Sequence, residues 1–94
     1  MRRLHATRRL IPLDRLDDYL VGWSRLREAA AAQGGRAWMF RGAAHQDQFI
    51  EFLEWSDEGE PLPERPGVVD ARRALGESFS AGQVDEWEEL DGGL

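Results

Sequence analysis

The stretch RAWMFRGAAHQDQFIEFLEW, residues 36–55, decides the fold of this chain. It predicts two strands, residues 36–43 and 48–56, around the turn AHQD. Both strands are apolar at nearly every position, which is typical of a sheet covered on both faces. Two carboxylates, Glu51 and Glu54, nevertheless lie among the aromatic residues. The role of these two acids is the main question that the stretch raises.

The rest of the chain supplies two helices and two further strands. An apolar stripe at spacings of three and four predicts a helix over residues 13–33. A second helix is predicted over residues 67–80, and strands are predicted over residues 3–11 and 84–90. The order β-α-β-β-α-β predicts an α+β, ferredoxin-like domain. Its antiparallel sheet has the order 4-1-3-2, with both helices on one face.

Length and composition limit the organisation and the chemistry of the chain. Ninety-four residues predict one domain over residues 1–94, with a core at 3–90 and a frayed tail at 91–94. The absence of cysteine excludes disulfides and thiol nucleophiles. All 12 basic residues are arginines, which excludes Schiff-base chemistry. His5 and His45 are too few for a histidine-rich metal site, so we expect no metal. We also expect no cofactor.

The arginines and acids are unevenly distributed along the chain. Residues 1–47 carry nine arginines and five acids, whereas residues 48–94 carry three arginines and thirteen acids. In the predicted strand order the basic first strand lies between acidic strands, so cross-strand pairing explains its charge. We therefore expect no nucleic-acid partner. No apolar run reaches membrane-spanning length and no signal-peptide core begins the chain, which predicts a cytoplasmic protein without a membrane partner.

The face of the sheet opposite the helices predicts a homodimer. Its apolar residues would form a large exposed patch in a monomer, and a second copy packed sheet against sheet is the expected cover. Glu51 and Glu54 have opposite parity, so one is expected on the helix side and the other on the dimer side. At least one is expected to pair with Arg8, Arg9 or Arg41. The alternative makes Glu51 a desolvated general base.

The space between the helices and the sheet is the candidate ligand site. Its candidate lining residues are Tyr19, Trp23, Trp38, Phe40, Phe52, Leu75 and Phe79. Arg41 is a further ligand-binding candidate, which could hold an anionic substrate or pair with a strand carboxylate. Core filling is the simpler interpretation of these aromatic residues, and strand parity is left open because a bulge would reverse it. The catalytic candidates are Glu51, Trp55 and His5, an imidazole suited to act as a base at neutral pH.

The strand and helix order, the hairpin AWMFRGAAHQDQFIEFLEW and a late tryptophan strand resemble the dimeric α+β barrel superfamily over residues 3–90. The likeness is greatest to small antibiotic-biosynthesis-monooxygenase-like (ABM-like) proteins. The resemblance implies cofactor-free monooxygenases or haem-degrading enzymes, whose sites use an asparagine and a tryptophan. Haem-degrading members also use a histidine on the second helix. This chain has no asparagine and no histidine in residues 67–80, so only Trp55 could correspond to this set.

Two function classes remain. One is a non-catalytic small-molecule-binding or accessory protein, which the absence of asparagine, cysteine and lysine favours. The other is a cofactor-independent monooxygenase acting on an aromatic, quinol-like substrate. The partners that both classes allow are a second copy of the chain and a small apolar or aromatic ligand.

Overall fold

The computed structural model describes residues 1–56 and 58–90. The elements are strand β1 (Arg2–Leu10), helix α1 (Leu16–Ala32), strands β2 (Arg36–Arg41) and β3 (Gln48–Ser56), helix α2 (Val68–Ser78) and strand β4 (Gln83–Glu88). A short 3-10 turn precedes each helix, at Leu13–Arg15 and at Leu62–Glu64. This is the predicted order of elements, and the predicted tail at 91–94 lies outside the described residues.

The ends of the elements differ from the predicted ones by a few residues, for local reasons. The predicted first helix starts at residue 13, but residues 13–15 form the 3-10 turn instead. Strand β2 ends before Gly42, whose backbone N–H donates to the carbonyl oxygen of Gln48 and closes the hairpin. Helix α2 starts after Gly67, which has a φ of 83°, and ends before Phe79, whose backbone is extended.

The four strands form one antiparallel sheet in the order β2-β3-β1-β4. This confirms the predicted order 4-1-3-2. Strand β3 alternates strictly between buried and half-buried residues, without a bulge. Its residues Phe49, Glu51, Leu53 and Trp55 face the helices, and Ile50, Phe52 and Glu54 face the other side. The ladder fixes the facing of the neighbouring strands, because directly paired residues point to the same face.

The core lies between the helices and the sheet. It is built from Ile11, Tyr19, Trp23, Leu26, Ala30, Phe49, Leu53, Trp55, Leu62, Val68, Leu75 and Phe79. The Tyr19 ring lies 5.2 Å from the Phe49 ring and 5.5 Å from the Phe79 ring, centroid to centroid. Side chains therefore fill the middle of the helix–sheet layer, as the core-filling interpretation predicts.

The sheet surface opposite the helices, called the open face below, carries large apolar side chains. Its apolar members are Leu4, Trp38, Phe40, Ile50, Phe52, Trp87 and the smaller Ala6, which share one side of the ladder. Trp38, Phe40 and Trp87 have exposed fractions of 43%, 56% and 58%. The Phe40 and Phe52 rings pack edge to face at 6.0 Å. The open face is thus an aromatic surface that no part of the described chain covers.

Candidate functional site

A buried ion pair lies at the centre of the helix–sheet layer. The Arg9 Nε donates to the Glu51 Oε2 at 2.7 Å, and the two residues are only 6% and 3% exposed. The Tyr19 hydroxyl donates to the same Oε2 at 2.5 Å. Arg9 also donates to the carbonyl oxygen of Phe79, just after α2. Glu51 is therefore held from two directions, and the cluster joins both helical segments to the sheet.

The register of the sheet explains why Arg9 is the partner of Glu51. Thr7 lies directly opposite Glu51, and Arg9 lies directly opposite Phe49. Arg9 therefore reaches Glu51 along the diagonal between the strands, a separation that a long side chain can span. Tyr19 reaches the acid from the sheet-facing stripe of α1. Burial and the Glu51 charge raise the pKa of Tyr19, so its hydroxyl stays protonated and remains a donor.

The second predicted acid, Glu54, lies on the open face, so the two glutamates occupy opposite faces as predicted. Arg2 Nη1 lies 3.4 Å from the Glu54 Oε1, and Arg2 Nε and Nη2 donate to the carboxylate of Glu89. Of the candidate arginines, Arg9 is confirmed as a partner. Arg8 lies on the open face, and Arg41 lies over the Phe49 ring with its guanidinium 5.1 Å from the centroid. The partner of Glu54 thus comes from the start of β1, outside the candidate set.

His5 and Arg72 form a second polar contact on the helix side. Arg72 Nη2 lies 3.2 Å from the His5 Nε2, and Arg72 Nη1 donates to the carbonyl oxygen of Pro63 at 3.0 Å. A guanidinium has only donors, so Nε2 is the acceptor and Nδ1 carries the proton of the neutral ring. This Nδ1 is buried without a hydrogen bond, 3.6 Å from the Glu86 Oε1.

Opposing influences act on the charge of His5. Burial has the largest effect and lowers the pKa of the imidazole, and the positive charge of Arg72 lowers it further. Glu86 and Glu51 act in the opposite direction, and the net result is a lowered pKa. His5 is therefore neutral around pH 7, with its available lone pair already directed at Arg72.

A cleft of about 320 Å³ opens beside this contact, between α2 and the strands β1 and β4. It is lined by Thr7, Arg9, Val69, Arg72, Arg73, Gly76, Ala81 and Val84. A larger groove of about 500 Å³ lies on the open face, where Leu4, Phe52 and Trp87 contribute to its lining. The two depressions lie on opposite sides of the sheet. Aromatic and acidic side chains line the groove, and the cleft has neither among its lining residues.

The predicted ligand-binding residues do not line a single cavity. Tyr19, Trp23, Leu75 and Phe79 are core residues on the helix side, whereas Trp38, Phe40 and Phe52 belong to the open face. Arg41 is exposed at the end of β2. The prediction that Trp38, Phe40 and Phe52 line a helix–sheet cavity is therefore wrong, because they occupy the strand positions that point away from the helices. Ligand binding by either group stays a prediction.

The structure also locates the three catalytic candidates. Glu51 belongs to the Arg9–Tyr19 cluster, His5 contacts Arg72, and Trp55 is buried in the core. Arg72 is the residue that the sequence analysis missed. The available signal was its position in the sheet-facing stripe of α2, where an arginine needs a polar partner.

Residues 1–56 and 58–90 contain neither a cluster of metal-ligating side chains nor a membrane-spanning helix. No group of three or more histidine, aspartate or glutamate side chains there could hold a metal ion. Nor does that part of the chain contain a helix long and apolar enough to cross a bilayer.

Comparison with known proteins gives structural relatives only. No family model and no curated protein matches the sequence. The fold is similar to that of SnoaB, a cofactor-independent oxygenase from Streptomyces nogalater, at 14% identity and a TM-score of 0.77, over 96% of this chain and 94% of that one. An antibiotic biosynthesis monooxygenase structure matches at 14% identity and a TM-score of 0.71, over 97% and 100% of the two chains. A conserved protein from Methanosarcina mazei matches at 10% identity and a TM-score of 0.77, over 96% and 94%.

Proposed function

We propose that this chain, which has the ABM-like ferredoxin-like α+β fold, works as a homodimeric small-molecule-binding or accessory protein. One observation carries the proposal: the Glu51 Oε2 already accepts hydrogen bonds from Arg9 and Tyr19. A general base has to reach the proton that it removes. Glu51 is enclosed by the core and is neutralised by Arg9, so its arrangement is that of a structural ion pair.

The other base candidate is engaged in the same way. The lone pair of His5 Nε2 faces Arg72, and the protonated Nδ1 is buried. A substrate would have to displace Arg72 before His5 could accept its proton. Both groups therefore support a binding role for the helix side of the sheet, and neither is poised for proton abstraction.

The open face supports the homodimer. A contiguous surface of exposed tryptophan and phenylalanine is typical of a protein–protein interface, because soluble monomers rarely expose such patches. The groove on this face is bordered by arginines, Arg2 and Arg8, and by acids, Asp85 and Glu89. A two-fold contact places the same surface on both partners, so charges of both signs allow it to be self-complementary.

Oxygen uptake separates this proposal from the monooxygenase alternative. 1,4-Dihydroxynaphthalene is an aromatic quinol that reacts with oxygen, and an oxygen electrode follows its oxidation with and without the protein. We expect the rate of oxygen uptake with the native protein to equal the rate with heat-denatured protein. Uptake that saturates with the quinol and increases in proportion to the native protein would overturn the proposal and favour the oxygenase.

A further inference from the structure

Arg72 is a partly buried cation without a carboxylate partner in the described part of the chain. Its hydrogen bonds go to the carbonyl oxygen of Pro63 at 3.0 Å and to the His5 Nε2 at 3.2 Å, and both acceptors are neutral. Arg9, the buried arginine of the same layer, has a full ion pair with Glu51. The partly buried charge of Arg72 therefore has no contacting counter-charge among the described residues.

The electrostatic surroundings of Arg72 favour an additional negative charge. Burial lowers the pKa of its guanidinium, and the neighbouring Arg9 lowers it further. Glu51, Glu64 and Glu86 act in the opposite direction from a distance, and none of them pairs with Arg72. An anion close to the guanidinium would offset both the desolvation and the repulsion.

The cleft between α2 and strands β1 and β4 gives such an anion access to Arg72. Thr7 and Arg9 line it from β1, and Arg73 borders it from α2. Arg73 pairs with Asp70 at 3.6 Å on the exposed helix surface, where an ion pair is weak. Val69, Ala81 and Val84 add apolar lining. The cleft thus combines cationic groups with an apolar wall.

We propose that this cleft binds a small organic carboxylate, with its oxygens on Arg72 and its apolar part against Val69, Ala81 and Val84. Arg72 uses two of its five N–H donors on Pro63 and His5, which leaves donors for a carboxylate. The two existing hydrogen bonds hold the guanidinium in place. A volume of about 320 Å³ is at the small end of ligand pockets and suits an acid with one ring.

This inference rests on the proposed function, since it names the ligand class of a binding protein, and benzoate is the probe that tests it. Benzamide has the same size without the charge, and inorganic phosphate has charge without the ring. Isothermal titration calorimetry and amide chemical shifts are measured with each compound. We expect saturable benzoate binding that shifts the amide signals of Thr7, Val69 and Val84, with benzamide and phosphate binding at least tenfold more weakly.

Two substitutions and one control assign the binding to Arg72. Arg72→Gln is expected to weaken benzoate binding roughly tenfold or more, because it removes a charged hydrogen bond. Arg27→Gln, on the exposed surface of α1, is the control and should bind as the wild type does. Val84→Glu leaves Arg72 in place and supplies a tethered carboxylate from an exposed position on the cleft wall. It should block benzoate even if Arg72→Gln fails to fold.

Two results would overturn the inference. One is wild-type benzoate affinity in Arg72→Gln or Val84→Glu, and the other is equal binding of benzoate, benzamide and phosphate. The proposed function fails by a different measurement, the protein-dependent oxygen uptake described above. A protein that binds the neutral quinol without turnover and ignores benzoate would keep the proposed function and lose only the carboxylate site.

Discussion

Arg9 and Glu51 form a buried ion pair on the diagonal between the two central strands, with Nε and Oε2 2.7 Å apart. Tyr19 and the carbonyl oxygen of Phe79 complete the hydrogen bonding of the pair. Replacing both members of such a pair by apolar residues often leaves the folding stability unchanged. Removing only one member lowers the stability, because the other charge is left buried and unpaired. Glu51 can therefore lie among aromatic residues because Arg9 and Tyr19 satisfy its carboxylate.

Glu51→Gln is expected to lower the free energy of unfolding by about 3–5 kcal/mol, because it leaves the Arg9 charge buried without a counter-charge. Urea denaturation at a fixed protein concentration measures the loss. Glu77→Gln, an exposed change on α2, is the matched control and should stay within about 0.5 kcal/mol of the wild type. The triple change Arg9→Met, Glu51→Leu and Tyr19→Phe removes the buried charge and the unpaired hydroxyl together and should recover part of the stability. Wild-type stability of Glu51→Gln alone would contradict the structural role.

Tyr19→Phe removes only the hydroxyl that donates to Glu51 and keeps the ring packing against Phe49 and Phe79. Loss of one hydrogen bond to a charged group is expected to reduce stability by roughly 1.5–3 kcal/mol. The double variant Tyr19→Phe with Glu51→Gln should lose less stability than the sum of the two single losses, because both changes act on one cluster. Strict additivity in the double-mutant cycle would show that the hydroxyl and the carboxylate do not interact.

The sequence predicts the fold more completely than the site, for a physical reason. Helical and strand periodicities within residues 3–90 are local properties, and together with topology rules they lead to the observed strand order. The opposite facing of Glu51 and Glu54 also follows, since parity is exact in a strand without a bulge. Which of them faces the helices does not follow, because both faces of β3 are apolar and periodicity cannot distinguish them.

Contacts between distant residues account for what the sequence does not predict. Arg72 receives its partners from Pro63, nine residues earlier, and from His5, 67 residues earlier. No short-range pattern contains that combination. The division of the aromatic candidates between the core and the open face has the same origin, because the register of three strands decides it.

The lowered pKa of His5 makes the folding stability of the protein depend on pH. Its pKa in the folded chain is lowered from 6.5 by burial and by Arg72. As the pH falls through about 6.5, the unfolded chain takes up a proton that the folded chain resists. The stability that neutral His5 contributes is thus present above that pH and is lost below it.

His5→Gln keeps an acceptor for Arg72 without titrating, so the wild type should lose stability relative to this variant between about pH 7 and about pH 5.5. Denaturant titrations at each pH measure the difference, and parallel profiles would refute the assignment.

Two glycines give opposite predictions for the same substitution. A Cβ on Gly35 would lie 2.3 Å from the Leu62 Cδ2 and 3.0 Å from the carbonyl oxygen of Glu54, whereas a Cβ on Gly76 would meet nothing within 4 Å. Gly35→Ala should therefore destabilise the protein, because Leu62 is fully buried and has little room to move. Gly76→Ala in α2 should stabilise it by up to about 1 kcal/mol through helix propensity. Thermal unfolding compares them, and equal melting temperatures would contradict the packing at Gly35.

The homodimer is tested by placing a charge on the open face. Phe40 is 56% exposed and packs on Phe52, and Trp87 is 58% exposed on β4. Phe40→Arg or Trp87→Arg would bury an unpaired cation in a sheet-to-sheet interface, so each should shift the equilibrium to monomers. Val21→Arg introduces the same charge at an exposed apolar position of α1 and should leave the dimer intact. Sedimentation velocity at micromolar concentration should show about twice the chain mass of 10.7 kDa for the wild type and for Val21→Arg. A wild-type species of 10.7 kDa would refute the dimer, because that is the mass of one chain. The aromatic open face would then be exposed to solvent.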